Sequence, residues 1–358
     1  MSSSRSWCPF HEVNPSLIEK PNLKDEKIIA CLQESYGVTA SRIEFLPLGN
    51  DSSAWVYRVE TEKGKTYFLK VRKGTVDAPS VLVPRYLREQ GIEQVVAVYP
   101  TKTLAPWQEV EDYILLLYPF IESKMGMEIG LTDSQWIEYG DFLRKLHATK
   151  LPGGLLEQLR KETFIPNPKW SGVVRELQVK IKHSTFANPF EKALAAFWKE
   201  KSVEIGKILD RADELGKMLQ EKRLDYVLCH ADIHTANLLL TQEGRMYVVD
   251  WDGPILAPKE RDLMFIVGAS VGGFVVESKE ETLFFRGYGR TEVDPLALAY
   301  YRYEWVVQDI GDYGERVFLM EDVGDETKEA SVRSLMDMFQ AGNVVESAYM
   351  SEGALPPD

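Results

Sequence analysis

The chain has 358 residues, with 42 Lys and Arg against 55 Asp and Glu, a formal charge of −13. Hydrophobic residues make up 44% and charged residues 27%, which suits a globular protein with a substantial core and excludes a disordered one. The negative balance also excludes a nucleic-acid protein, because gripping phosphates requires clustered Lys and Arg.

The charge is unevenly placed. From Thr291 to Asp358 there are 15 acidic and 4 basic residues, a net of −11 in the last 68 positions. The chain start has no apolar run after Arg5 and reads as no signal peptide. The longest uncharged apolar stretch, Leu263 to Val276, has 14 residues, short of the ~20 that a spanning helix needs. Three widely spaced cysteines, Cys8, Cys31 and Cys229, form neither a disulfide framework nor a metal knuckle. The expectation is a cytoplasmic protein without a membrane partner, monomeric or homodimeric.

Residues 1–20 carry three X-Pro steps and read as a leader. Pro21 to Tyr36 predicts a helix, with Leu23, Ile28, Ile29 and Leu32 on one face and Gly37 as the stop. Three strands follow, at Arg42–Leu48, Ala54–Glu60 and Lys65–Arg72, the last two joined by a Thr61-Glu-Lys-Gly64 turn. A helix over Pro79–Gln90 precedes short strands near Val95–Val98 and Tyr113–Tyr118. Pro119 ends that ladder and makes 119–122 a natural hinge. From Thr132, an N-cap, the period changes to 3.6, with Trp136, Tyr139, Leu143 and Leu146 on one face. Helices continue to Gln220. Short strands return at Tyr226–Cys229, Asn237–Leu240 and Met246–Val249, and helices resume from Lys259 to about Phe339. Two lobes with a cleft between them is the expected architecture.

The densest polar cluster is His230-Ala-Asp232-Ile-His234-Thr-Ala-Asn237, followed by Asp250-Trp-Asp252 at the end of a Tyr-Val-Val strand. Phosphoryl transfer needs this set. One carboxylate orients an acceptor hydroxyl and takes its proton, while an amide oxygen and a second carboxylate hold Mg²⁺ against the phosphates. Asp232 fits the first role, and Asn237 with Asp250 the second. A competing reading makes His230, Asp232, His234, Asp250 and Asp252 the ligands of a metallohydrolase. The other three histidines, His11, His147 and His183, show no ligand spacing. A kinase-type site also calls for a strand lysine, and Lys70 supplies it. Alternation places Tyr67, Leu69 and Val71 on one face, and Phe68, Lys70 and Arg72 on the other. Between the first two strands, Leu48-Gly-Asn-Asp-Ser52-Ser53-Ala54 stands where a phosphate-covering loop belongs, with Ser52 and Ser53 as candidate contacts.

With these residues in place, the chain resembles the aminoglycoside phosphotransferase family. The likeness is sharpest in Tyr226–His234 and from Asp250-Trp-Asp252 to Ala257–Ile266, with Tyr118–Ile121 and Tyr300-Tyr-Arg302 adding to it. The resemblance implies an α+β, bilobal, protein-kinase-like fold. Its small antiparallel-sheet N-lobe would span 21–118, and its larger, mostly helical C-lobe 123–358. It implies ATP, or GTP, and Mg²⁺ as cofactors. It also implies Asp232 as base, Asn237 and Asp250 on Mg²⁺, Lys70 on the phosphates, and Pro119, Phe120 and Ile121 against adenine. One departure stands out: the small-lobe helix lacks the Glu that kinases use to fix the lysine. Asp77 is the nearest carboxylate, and Glu89 lies near the helix end.

The implied acceptor is a small cationic molecule, an aminocyclitol antibiotic such as spectinomycin, or another sugar or amino alcohol. Trp251 and Asp252, beside the metal position, are assigned to it together with Asp232. On the helix from Asp294, Leu296, Tyr300, Tyr303, Val307 and Ile310 form the core stripe, and Glu304 flanks it. Trp305 and Asp309 share the neighbouring face, a ring and a carboxylate suited to a cation.

Overall fold

The computed structural model describes residues 20–46, 54–271, 274–320, 323–353 and 355. They fall into two compact units. The first takes residues up to Leu131 with Thr149–Leu159 and Thr235–Pro254; the second takes Thr132–Ala148, Arg160–His234 and the chain from Ile255 onward.

In the first unit, helix α1 (Asp25–Cys31) runs on as a π-helical turn to Tyr36. Its stop at Gly37 has φ +70°, a left-handed conformation that costs glycine nothing. The strands β1 (Ala40–Leu46), β2 (Ala54–Thr61), β3 (Thr66–Lys73), β4 (Gln108–Val110) and β5 (Tyr113–Pro119) form an antiparallel sheet in the order β1-β2-β3-β5-β4. Tyr67, Leu69 and Val71 of β3 join Leu115 and Leu117 of β5, and Ile28 and Leu32 from the α1 segment, in one core. Ile114 and Leu116 point the other way, against Val81 of α2 (Pro79–Glu89). Strand β5 is therefore buried on both faces, which is why Tyr113–Leu117 reads as an unbroken apolar run. The expected strand at Val95–Val98 shrinks to one bridge, Val95 to Val248. Strand β4, three residues with Glu109 at its centre, has no periodic signal and was not expected.

The first unit extends past the expected boundary at 119–122. Lys124–Met125, Leu238–Leu240 and Met246–Val248 form a second antiparallel sheet within it. The Val248 N–H donates to the Gln94 carbonyl at 2.8 Å, tying that sheet to the segment after α2.

The second unit is mostly helical: α3 (Asp133–Ala148), α4 (Pro168–His183), α5 (Pro189–Gln220), α6 (Ser278–Tyr288), α7 (Pro295–Phe318), α8 (Asp325–Met338) and α9 (Val344–Glu352). Thr132 caps α3 reciprocally. Its hydroxyl accepts the Gln135 N–H at 3.3 Å, and the Gln135 side chain accepts the Thr132 N–H at 2.9 Å. Trp136, Tyr139, Leu143 and Leu146 are buried as the periodicity requires. Helix α7 packs against α4, α5, α8 and α9, and so buries Tyr301 and Val306 as well as Tyr300, Tyr303, Val307 and Ile310 of its expected stripe, while Leu296 in the first turn is half-buried. Among the described residues, no helix is long and apolar enough to cross a membrane.

Candidate active site

Within the first unit, the β2–β3 and β3–β5 registers place Lys70 beside Val56 and Leu116, on the sheet face that α2 covers. Its partner is not Asp77, which is exposed. Lys70 Nζ lies 3.2 Å from Asp252 Oδ2, and Arg72 Nη1 lies 3.7 Å from the same oxygen. Two placements differ from the sequence expectation. Asp77, in the turn before α2, holds Ser80 through its backbone carbonyl at 2.7 Å. Asp252, assigned to the acceptor from sequence, is the carboxylate between the two strand cations. Trp251 is likewise buried, its indole N–H donating to the Val248 carbonyl at 3.3 Å. Ser52 and Ser53 lie outside the described residues.

Pro119 closes β5 opposite Tyr67. Phe120 lies under the Arg58 guanidinium, 4.6 Å from ring centroid to Cζ, and the Ile121 carbonyl accepts from Ser123 at 3.1 Å. Asn237 and Asp250 flank the second sheet. The Val249 N–H donates to the Asn237 carbonyl at 3.1 Å, which sets Asn237 one register step from Asp250. Asp250 has φ +65°, a strained conformation for a residue with a Cβ. An amide oxygen and a carboxylate are hard donors, and the pair fits Mg²⁺.

Within the second unit, the strand Val227–Cys229 delivers the His230–His234 loop. His230 and Ala231 donate their backbone N–H groups to the two oxygens of Asp262, at 3.0 and 2.7 Å. Ala231 has φ +75°, and this carboxylate clamp holds it there. Asp262 is fully buried and also accepts from His147 Nε2 at 3.0 Å. Burial alone would raise its carboxyl, but the hydrogen bond from His147 and the Ala231 N–H hold it below the usual range. The Tyr139 hydroxyl donates to the Ile233 carbonyl from the α3 side. Asp232 remains about half exposed, with His234 Nε2 3.4 Å from its Oδ1. His230 is fully buried and its Nδ1 accepts the Asp232 N–H at 3.3 Å. With His230 used in this way, and Asp252 held by Lys70, the metallohydrolase ligand set loses two members.

A row of edge-on rings leads from His234 to Phe265 at 5.7 Å and on to Trp305 at 5.0 Å between centroids. Asp309 stands one turn beyond Trp305. Burial pushes its carboxyl well above the usual range, and the charges of Asp232 and Asp312 push it further. Glu304 has a different role. Its Oε2 accepts from Arg261 Nη1 at 3.1 Å, with both side chains largely buried, so its charge is already matched. Sequence reasoning missed Asp262 and His147 as loop supports. The signal available was a carboxylate opening the apolar run Leu263–Val267.

A model of the phosphotransferase enzyme family, APH, matches residues 44–296. The chain belongs to this family. It is a phosphotransferase acting on an alcohol group, with an α+β, protein-kinase-like fold. It is 34% identical to spectinomycin phosphotransferase, APH(9)-Ia, in a complex with ADP and spectinomycin. That match covers 93% of this chain and 99% of the other, with a TM-score of 0.84. The AMP-bound complex of the same enzyme matches at 33% identity over 92% and 99%, with a TM-score of 0.79. The amicoumacin kinase hAmiN, with AMP-PNP, Ca²⁺ and Ami, shares the fold at 17% identity over 90% and 94%, with a TM-score of 0.56.

Proposed function

We propose that this phosphotransferase uses ATP and Mg²⁺ to phosphorylate a hydroxyl of a small cationic aminocyclitol, with spectinomycin as the type acceptor. The observation that carries the reading is the 34% identity, over 93% of the chain, to an enzyme seen with ADP and spectinomycin. The acceptor side supports it independently. Asp309 beside the Trp305–Phe265–His234 row gives a carboxylate and a ring for an ammonium group.

In this reading, the Asp232 carboxylate accepts the hydroxyl proton as the acceptor oxygen attacks the γ-phosphorus. The new P–O bond forms as the bond to the β–γ bridging oxygen breaks, and ADP leaves. Lys70, steadied by Asp252, presents its ammonium to the phosphates. Backbone groups of Pro119, Phe120 and Ile121 meet the adenine. Asn237 and Asp250 would hold Mg²⁺, which neutralises phosphate charge when bound.

An acceptor panel with labelled ATP or GTP tests this: aminocyclitols, aminoglycosides, amino alcohols and neutral sugars, each with and without Mg²⁺. Transfer to spectinomycin from ATP is expected. Asp232→Ala should lower turnover by at least ~10³-fold with ADP binding unchanged. Preferential transfer to a neutral sugar would sink the cationic-acceptor reading, and near-normal turnover in Asp232→Ala would sink the assignment of the base.

A further inference from the structure

The hydrogen-bonded chain beneath the His230–His234 loop does not end at His147. His147 lies in the last turn of α3, and Tyr288 is the last residue of α6. These helices cross almost backbone to backbone. A Cβ on Gly140 would fall 2.0 Å from the Phe284 carbonyl oxygen, and one on Gly287 would fall 1.9 Å from that of Ile137. Glycine at both points lets the helices close, and closure brings the Tyr288 hydroxyl to 2.7 Å from His147 Nδ1. The two rings meet edge to face at 5.6 Å.

The proton positions follow from the partners. The Asp262 carboxylate only accepts, so His147 Nε2, 3.0 Å away, must carry a proton. In a neutral imidazole Nδ1 is then an acceptor, and the Tyr288 O–H must donate to it. Burial, with the charges of Asp262 and Glu260 adding to it, pushes the Tyr288 hydroxyl up, so it keeps the proton it donates. The opposite tautomer would set a lone pair on Nε2 against an Asp262 oxygen and loosen the clamp on Ala231.

We propose that Tyr288 is a positioning residue for phosphoryl transfer: its hydroxyl locks His147 in the Nε2–H tautomer, His147 holds Asp262, and Asp262 fixes the left-handed Ala231 that aims Asp232. The consequence for catalysis rests on the reading of Asp232 as base, but the tautomer does not. Tyr288 touches neither reactant, so the effect belongs in kcat.

Two measurements on the full chain test this. In ¹⁵N-histidine spectra, wild-type His147 should show the Nε2–H tautomer, and Tyr288→Phe should lose that single form. The same variant should lose kcat on the order of tenfold with both KM values held within about twofold. In a His147→Gln background, where an amide donates without a tautomer to lock, adding Tyr288→Phe should cost nothing further. If Tyr288→Phe does not fold, para-aminophenylalanine at position 288, a donor of nearly the same shape, should keep the wild-type tautomer. A proton on Nδ1 in the wild type, unchanged kcat in Tyr288→Phe, an equal loss in the His147→Gln background, or a changed tautomer with the amino analogue would each overturn the proposal. Loss of the tautomer in Tyr288→Phe with unchanged kcat would separate failure of the Asp232 reading from failure of the lock.

Discussion

Asp262, fully buried, and Asp309, half-buried, are both carboxyls of the second unit, yet their surroundings push them in opposite directions. Asp262 receives two backbone N–H groups and an imidazole N–H, so its charge is satisfied. With its folded pKa depressed, it contributes stability above its unfolded pKa, and this is lost as pH falls through the folded value. Asp309 is desolvated beside like charges, and its folded pKa is raised. Its contribution is present below the unfolded pKa and is lost as pH rises through the folded one. Asp309→Asn should therefore raise thermal stability at about pH 8, by on the order of 2 °C for each kcal/mol recovered, and leave it unchanged near pH 4. The same variant should raise the acceptor KM. Calorimetry at the two pH values checks the sign, and equal shifts at both would refute the assignment of a raised carboxyl. A destabilised site carboxylate of this kind is what a stability–function trade-off looks like at one residue.

At the scale of elements, glycines that look alike in sequence act differently. Gly287 sits where α3 and α6 touch, and a methyl there meets backbone that cannot move aside. Gly206, inside α5, has open space around the same position. Gly287→Ala should cost about 3 kcal/mol or more, whereas Gly206→Ala should add roughly 0.5–1 kcal/mol through helix propensity. Urea midpoints for the pair decide this, and shifts of the same sign would contradict the close crossing. Other features of these elements were legible in advance. The Thr132–Gln135 cap and the alternation around Lys70 are local patterns, set by residues within one turn or one strand. The shrinking of the Val95–Val98 strand and the appearance of β4 were not, because such short pieces are defined by their cross-strand partner.

At the scale of the whole chain, the acidic C-terminal stretch is less one-sided in space than along the sequence. Cations from earlier in the second unit reach it: Lys169 pairs with Glu315, Arg211 with Glu352, Lys222 with Asp294, and Arg261 with Glu304. Four of its 15 acidic residues are thus matched by cations from outside the stretch, and its charge argues for a cationic acceptor less strongly than the count suggested. The carboxylates the proposed acceptor site offers are two, Asp232 and Asp309. A cationic acceptor should therefore show only a modest salt response, its KM rising about two- to threefold between low and physiological ionic strength, with kcat unchanged. A steep rise would mean that the distant surface carboxylates matter after all.

The sequence by itself determined the phosphotransferase family, the strand that carries Lys70 and the motif residues Asp232, Asn237 and Asp250. Each is written in short-range spacing, and local spacing needs no partner to be read. Only the tertiary structure decided that Lys70 pairs with Asp252 and not Asp77, and that Glu304 is matched by Arg261. It likewise decided that a Tyr288–His147–Asp262 chain supports the loop before Asp232. Those pairs are separated by tens to more than a hundred residues, and which charges or donors meet depends on strand register and on how closely two helices cross. Neither quantity can be read from the sequence of one element alone.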